Sequence, residues 1–299
     1  MNFAELAPVF ANENNAIKMV ESIMWPNGTV CPHCGGMERA YDLSKTRLGL
    51  WKCGHCRKQF TVKVGTIFED SKIPLSKWLT VIYMMCSAKK GVSATQVQRS
   101  IGVSYKSAWF MCHRIRLAMT KGPLKGMLGG PGKQVEVDET YVGGKPGNNK
   151  HRNRKPKKKI VVMTLIDRQG EARTFHVEDT KKSTVLSVVR PNIHGYSVIL
   201  TDDNSLYDDL HKHFWQHKTV RHKKTFVRGI VHTNFAESYH SLLKRSIIGT
   251  HHHISEKHLS RYLREREFHW NRRKATDGER TFDVHQWRNG PEADVSDAS

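Results

Sequence analysis

The amino-acid sequence predicts an α/β protein in which a mixed-sheet domain follows a small cysteine-rich module and a helical segment. Two Cys-x-x-Cys pairs stand among short strand-like runs before residue 70, and residues 74–122 have helical periodicity. From Gln134 onward, apolar strand-like runs alternate with amphipathic stretches. Three consecutive strands followed by helix, strand and helix are typical of a mixed sheet that contains an antiparallel meander.

The charge balance indicates what kind of partner the protein binds. The 299 residues include 49 Lys and Arg against 28 Asp and Glu, which gives a formal net charge of +21. Nucleic acid is the commonest polyanionic partner of so basic a chain, and a basic protein without such a partner is the simpler alternative. No run approaches about 18 apolar residues, so we expect neither a membrane-spanning segment nor a membrane partner. The first residues lack the charged and apolar regions of a secretory signal, which favours a cytoplasmic protein.

The four clustered cysteines predict a structural zinc site. Cys31 and Cys34 form one Cys-x-x-Cys pair, Cys53 and Cys56 form the second, and 18 residues separate the two pairs. Four thiolates at this spacing close a tetrahedron around zinc and leave no open coordination position. We therefore interpret the histidine inside each pair as a loop residue rather than as a ligand.

The helical segment has the spacing of a helix-turn-helix. Gly102 lies at the predicted turn, and Ser104 is a good N-cap for the second helix. Lys106, Arg114 and Arg116 lie along that second helix, where a recognition helix carries its cations, so we expect them to contact DNA. An ordinary helical pair without a DNA contact is the alternative.

Several carboxylates occupy positions where strands are predicted. The stretch VEVDETYVGG carries Glu136, Asp138 and Glu139, and burying an ionised carboxylate costs several kcal/mol unless a cation or a metal compensates its charge. Glu139 is expected to face the other side of the strand from Asp138, in a structural or substrate-facing role. YSVILTDD ends a second apolar run with Asp202, at the edge where α/β sheets bind ligands. A helix N-cap is the alternative role for Asp202.

A third acid lies on the helix predicted for HTNFAESYHSLLKRSI. At about 100° per residue, Glu237 and Lys244 are two turns apart and share a side with Asn234. Thr233 could cap the start of this helix, and for the helix alone a solvated face is the simpler interpretation. Asp138, Asp202 and Glu237 nevertheless provide one acid per element, and two divalent ions would offset their mutual repulsion. This pattern favours phosphodiester chemistry.

Six stretches then match one known family in order. They are AIKMVESIMWPNGTVCPHCGG, WKCGHCRKQFTVKVGTIFEDSKIPLSKW, VEVDETYVGGK, TDD, HTNFAESYHSLLKR and GTHHHISEKHLSRYLREREFHWNRR. The chain resembles the DDE/D-type bacterial insertion-sequence transposases of the ISXO-type, Merlin-like group, from about residue 10 to residue 275. Arg266 stands where such proteins commonly have phenylalanine, so we expect that segment to be a peripheral helix without a catalytic role.

The resemblance implies a DNA transposase with a ribonuclease H-like catalytic domain that cleaves DNA at insertion-sequence ends and transfers strands into target DNA. It implies Mg²⁺ or Mn²⁺ held by the catalytic acids Asp138, Asp202 and Glu237. Some relatives use asparagine as the third ligand, which makes Asn234 a further candidate. Lys244 is expected to contact a phosphate. The implied partners are the element's inverted repeats, target DNA and at least one further copy of the chain on DNA, which implies a nucleoid-associated bacterial protein.

A basic insertion follows the first predicted strand of the mixed sheet. The stretch KPGNNKHRNRKPKKK is rich in cations that can follow a duplex backbone without reading its sequence. A solvated charge run is the equally simple alternative. The candidate DNA-binding residues in this stretch are Lys145, Arg152, Arg154, Lys157 and Lys158.

The predicted organisation divides the chain into six parts. They are an N-terminal helix (1–30), a zinc ribbon (31–70), a helix-turn-helix-like domain (74–122), a linker (123–133), a ribonuclease H-like domain (134–275) and a C-terminal tail (276–299). The rival function is a non-catalytic DNA-binding regulator built from the ribbon and the helix-turn-helix, with a degenerate nuclease domain. Retention of three acids and Lys244 argues against it, because a pure DNA-binding protein has no use for them.

Overall fold

The computed structural model describes residues 2–120, 126–143, 159–220 and 232–283. The chain divides into two compact units, one of residues 1–122 with 272–299 and the other of residues 123–271. Within the described ranges, no helix has the length and apolar character needed to cross a membrane.

The elements follow one another in an order that separates the two units. The first unit begins with α1 (Phe3–Ala11), α2 (Glu13–Met24), β1 (Ala40–Asp42), β2 (Trp51–Cys53), β3 (Gln59–Phe60), α3 (Leu75–Ser87), α4 (Ala94–Ile101) and α5 (Tyr105–Ala118). The second unit holds β4 (Gln134–Val142), β5 (Ile160–Asp167), β6 (Ala172–Val177), α6 (Lys182–Asn192), β7 (Val198–Asp202), a 3₁₀ helix (Ser205–Lys212), β8 (Gln216–Val220), α7 (Asn234–Ser246), a π-helical turn (Ile247–His251) and α8 (Glu256–Asn271). The last described helix, α9 (Asp277–Asp283), belongs to the first unit.

The first unit is built on helices whose ends are set by local capping. The Asn12 side chain accepts hydrogen bonds from two amides of the first turn of α2, so two helices, α1 and α2, occupy the range predicted as one N-terminal helix. Gly102 adopts a left-handed conformation with φ 62° at the end of α4, and the Ser104 side chain caps α5. The turn and the N-cap of the predicted helix-turn-helix are therefore present.

The segment from residue 272 to residue 283 folds onto the first unit instead of forming a tail. The buried Arg280 side chain donates to the backbone carbonyls of Cys86 (2.9 Å) and Ala275 (2.7 Å). A guanidinium with five donors can satisfy several buried carbonyls at once, so one residue attaches α9 to α3. Residues 284–299, which complete the predicted tail, lie outside the described residues.

A five-stranded mixed sheet forms the centre of the second unit, as predicted. The strand order is β6-β5-β4-β7-β8; β4, β5 and β6 are an antiparallel meander, and β4, β7 and β8 are parallel. Every residue of β5 is buried because helices cover both faces of the sheet. The polar edge strand β8, with the sequence QHKTV, has no apolar alternation by which it could have been predicted.

Two apolar cores lie on opposite faces of the sheet. On one face, Val137 and Met163 pack with Val189 of α6 and with the 3₁₀ helix. On the other face, the sheet packs against α7 and α8, for example through Val162 and Leu243. This second face is the one on which Glu136 and Asp138 lie, because side chains alternate along a strand.

Part of the segment predicted as a linker packs within the second unit. Leu128 is buried and forms a parallel bridge with Ile193 at the end of α6: its amide donates to the Asn192 carbonyl at 2.8 Å, and its carbonyl accepts from the His194 amide at 2.9 Å. The Gly129 amide donates to Asp167 Oδ2 at 3.1 Å, and a Cβ at this glycine would overlap Ser197. Gly129 thus allows a close approach of the backbone to Ser197.

We expect Arg280→Ala to lower the free energy of unfolding of the first unit by about 2–4 kcal/mol, because buried carbonyls lose their donor. Urea unfolding followed by tryptophan fluorescence measures the change. Lys274→Ala removes an exposed cation from the same segment and should change stability by less than about 0.5 kcal/mol. Equal effects of the two substitutions would contradict the anchoring role of Arg280.

Candidate active site and zinc cluster

The four predicted cysteines converge in the first unit. All four Sγ atoms lie within 4.8 Å of one another, with Cys31 to Cys56 at 3.7 Å and Cys34 to Cys53 at 3.6 Å. A tetrahedron with Zn–S bonds of about 2.3 Å has S–S edges of about 3.8 Å, so the spacing fits zinc. The prediction of a structural zinc site is confirmed in its residues and in its geometry.

Turns and aromatic rings support the zinc cluster. Gly35, at φ 76°, closes the first knuckle with its amide bonded to the Cys31 carbonyl at 2.9 Å. Trp25 packs edge-on against Trp51 and Phe60, and the three rings form a small core beside the cysteines. A hydrogen bond from the Cys56 amide is the main cause that lowers the pKa of the Cys53 thiol to about 6, which favours the metal-binding thiolate.

Strand register brings two of the three predicted acids together in the second unit. β4 runs parallel to β7, with Glu136 paired with Leu200. Side chains two residues apart share a face of a strand, so Asp138, in the middle of β4, and Asp202, at the end of β7, point to the same face of the sheet. Continuing the register by two residues would place Asp138 opposite Asp202.

Asp138 is held from two directions. Its Oδ1 accepts a hydrogen bond from the Glu139 amide at 2.9 Å, and its Oδ2 lies 3.4 Å from Nδ1 of His240. The other ring nitrogen of the buried His240 lies 2.9 Å from Thr164 Oγ1 on β5. The contact of His240 was not predicted, although this residue lies in the helix motif three positions after Glu237.

The contact of His240 with Asp138 shows which side of α7 faces that acid. At 3.6 residues per turn, Glu237 lies about 60° and Lys244 about 40° around the helix from His240, whereas Asn234 lies about 120° away. Glu237 and Lys244 therefore lie on the same side of His240 and within about 60° of the direction of Asp138, and Asn234 points further from it. Both Asn234 and Glu237 are exposed.

The first turn of α7 is capped by a buried acid on β4. Thr233 makes no side-chain capping hydrogen bond, contrary to the interpretation from sequence. Glu136 Oε2 instead accepts from the amides of Phe235 (2.9 Å) and Ala236 (3.0 Å), while Oε1 accepts from Arg168 Nε at 3.0 Å. Burial raises the pKa of Glu136, and the hydrogen bonds from Ala236 and Arg168 oppose that rise.

The neighbouring Glu139 faces the opposite side of the sheet, at the 3₁₀ helix. Its carboxylate accepts a hydrogen bond from the Tyr207 hydroxyl and a longer one, of 3.4 Å, from Asn204 Nδ2. Burial raises the pKa of Glu139, and the charges of Asp138 and Asp202 raise it further. The charges of Asp138 and Asp202 therefore act on Glu139, although the Glu139 side chain points to the opposite face of the sheet.

The described acids do not form a closed metal cage. Within the described residues, the cysteine cluster is the only group of three or more candidate ligands whose atoms all lie within 4.8 Å of one another. The carboxylates of Asp138, Asp202 and Glu237 are therefore wider apart than in a compact three-ligand site. Their oxygen donors nevertheless match the ligand preference of Mg²⁺ and Mn²⁺.

The candidate DNA-binding residues have different environments. Lys106 is exposed in the first turn of α5, and Lys244 is exposed in the last turn of α7. Arg116, however, is only 2% exposed, and Arg114 is half-buried with Nη1 bonded to the Glu69 carbonyl at 2.6 Å. Contacts from Arg114 and Arg116 to DNA do not fit this arrangement, because both side chains are directed into the unit. The five candidates of the basic insertion, from Lys145 to Lys158, lie outside the described residues.

The segment around Arg266 is not peripheral. Arg266 is buried, and its helix α8 packs on β6, where Glu267 accepts hydrogen bonds from Thr174. The long apolar stripe of α8, which includes Leu259 and Leu263, explains why this helix completes the core.

Comparison with known proteins identifies two domains. Residues 127–271 match the family described as the ISXO2-like transposase domain, and residues 11–59 match the transposase zinc-ribbon domain. The chain carries both of these transposase domains. The transposase domain match begins at residue 127, beside the buried Leu128.

This chain is also similar to individual known proteins. It is 28% identical over 273 residues, 85% of its length and 90% of the relative's, to the "Uncharacterized protein in transposable element ISH50" of Halobacterium salinarum. It also matches a chain in the cryo-EM structure of the simian T-cell lymphotropic virus intasome in complex with PP2A regulatory subunit B56 gamma. That match has 15% identity, covers 61% of this chain and 66% of the other, and has a TM-score of 0.29, too low to constrain the fold.

We expect Cys53→Ser to release zinc and to unfold the ribbon, because structural zinc supplies much of the folding free energy of such small modules. Zinc content measured by mass spectrometry should fall from one ion per chain toward zero. Cys86→Ala, which changes a buried cysteine outside the cluster, should retain the metal. Full zinc content in Cys53→Ser would contradict the assignment.

Proposed function

We propose that this transposase is a metal-dependent enzyme that cleaves DNA at the ends of its insertion sequence and transfers the resulting strands into target DNA. The observation that carries the proposal is the β4–β7 register, whose continuation by two residues would bring Asp138 and Asp202 together on one face of the sheet. Asp202 ends β7, and ligand sites of α/β sheets favour the carboxyl ends of strands. The proposed catalytic acids are Asp138, Asp202 and Glu237.

The acids would hold Mg²⁺ or Mn²⁺ through their carboxylate oxygens. When bound, such ions activate an oxygen nucleophile and neutralise charge on the leaving oxygen in phosphodiester chemistry. Around them, His240 fixes the orientation of the Asp138 carboxylate between α7 and β5. This support leaves Asp138 oriented before substrate arrives, as expected for a preorganised site.

The orientation of α7 supports Glu237 over Asn234 as the third ligand. Glu237 lies about 60° from His240 on the helix, and the corresponding angle of Asn234 is twice as large. Lys244 lies on the same side as Glu237, so its ammonium is suited to contact a DNA phosphate next to the acids. We assign Asn234 to the exposed rim of the site.

Double-stranded DNA is the proposed substrate, both as inverted repeats and as target. The net charge of +21 and the exposed Lys106 and Lys244 support binding to a phosphate backbone. Joining two element ends requires at least two active sites, so we propose a dimer or larger assembly on DNA. Such a protein would be associated with the nucleoid.

We expect Asp202→Asn to abolish Mg²⁺-dependent cleavage of duplexes that carry the element ends while its dissociation constant for DNA changes less than about threefold. Cleavage and joining are measured on labelled duplexes with the metal and with chelator. Asp203→Asn, which changes the adjacent acid, is the matched control and should cleave. Tight end-specific binding by the wild type without cleavage under any metal would favour the non-catalytic regulator.

We expect Glu237→Gln to lower the cleavage rate by at least about a hundredfold, because a carboxylate ligand is lost, and Asn234→Ala to lower it by less than about fivefold. Single-turnover rates at saturating DNA and Mg²⁺ measure both effects. A larger loss in Asn234→Ala than in Glu237→Gln would make Asn234 the third ligand.

A further inference from the structure

We propose that Glu136 and Arg168 are a positioning pair that fixes α7, and through it the third acid, against the strand that carries Asp138. The proposal rests on the proposed function, because it assigns these two residues a role in that reaction. Neither residue faces the substrate edge; they act through the placement of Glu237.

Glu136 caps α7 from another element. The 13-residue helix begins without a side-chain cap from Thr233, so its first amides need an acceptor from elsewhere. The fully buried Glu136 carboxylate supplies it, with Oε2 at 2.9 Å from the Phe235 amide and 3.0 Å from the Ala236 amide. A negative charge at a helix N-terminus is also favoured by the helix dipole.

Arg168 completes the attachment. Its side chain, 16% exposed, donates from Nε to Glu136 Oε1 at 3.0 Å and from Nη2 to the His232 carbonyl at 3.0 Å. Nη1 donates to the Gln134 side chain at the start of β4. The guanidinium therefore joins the acid on β4 to the residues that lead into α7, with a geometry that a lysine cannot reproduce.

The attachment lies next to the proposed catalytic acids in sequence. Glu136 is two residues before Asp138 on the same face of β4, and Ala236 directly precedes Glu237. One turn later, His240 contacts Asp138. A displacement of the first turn of α7 would therefore move Glu237 while Asp138 keeps its strand position. Supporting residues of this kind alter metal affinity or activity by about 10–100-fold when they are changed.

The test uses Glu136→Gln and Arg168→Lys in the full chain. Glu136→Gln keeps an oxygen acceptor but removes the charge, and Arg168→Lys keeps the charge but removes the planar fork. We expect each to lower kcat for element-end cleavage at least about tenfold with KM for DNA changed less than about twofold, since only the reacting geometry is altered. We expect Mn²⁺ alone, titrated by electron paramagnetic resonance, to bind at least about fivefold more weakly.

Arg173→Lys is the matched control. Arg173 is also a buried arginine of the second unit, but its side chain bonds to the Gly126 carbonyl, Glu171 and Asn192, none of which lies in α7. It should lower the unfolding midpoint by an amount comparable to Arg168→Lys and leave kcat and Mn²⁺ affinity unchanged. The positioning role is overturned if Glu136→Gln and Arg168→Lys keep the wild-type kcat and Mn²⁺ affinity. It is also overturned if Arg173→Lys loses as much kcat and Mn²⁺ affinity as they do.

The two proposals fail in different ways. If the wild-type protein does not cleave under any metal, the proposed function is rejected, and Mn²⁺ affinity alone then decides the role of Glu136 and Arg168. If the wild type cleaves and Asp202→Asn does not, but both positioning variants match the wild type, the function stands and the positioning pair is rejected.

Discussion

The parallel pairing of β4 with β7 is the constraint on which the second unit depends. It joins the antiparallel meander of β4, β5 and β6 to β7, which follows α6 in the chain. The result is a single sheet with helices on both faces. A register shift of one residue would turn Asp202 to the opposite face from Asp138 and move Leu200 out of the core. The same apolar burial that fixes the fold therefore fixes the acid pair.

Two acids of β4 have different roles: Glu136 holds α7, and Asp138 faces the proposed substrate edge. Glu136 is buried and bonded to amides and to Arg168, so its charge is compensated by the protein. Asp138, 18% exposed, has weaker protein contacts, which leaves its carboxylate available for a cation. Because an uncompensated buried carboxylate is costly, the two environments explain why one acid serves the structure and the other is suited to metal binding.

Much of the architecture could be predicted because its signals are local. The cysteine spacing indicates the zinc ligands, alternating valines mark β4, and continuous apolar runs mark β5 and β7. The cap of α7 could not be predicted in this way, since Glu136 is about a hundred residues from the helix that it caps. The burial of Arg116 was missed for a similar reason: helical periodicity does not reveal which neighbouring elements enclose a cation.

The same distinction between local sequence signals and tertiary packing applies to the residues of the site. Asp202 ends the apolar strand β7 and Asp138 lies in the middle of β4, so their common face follows from the parallel pairing of the two strands. The contact of His240 with Asp138 depends on how α7 lies across β4 and β5, which only tertiary packing determines.

The most direct test of this account is the position of Mn²⁺ in crystals of the protein bound to an element-end duplex, located by anomalous scattering. The account predicts a Mn²⁺ peak bridged by the carboxylates of Asp138 and Asp202, with Glu237 closer to it than Asn234. A Mn²⁺ peak away from these two aspartates in a cleavage-competent complex would contradict it.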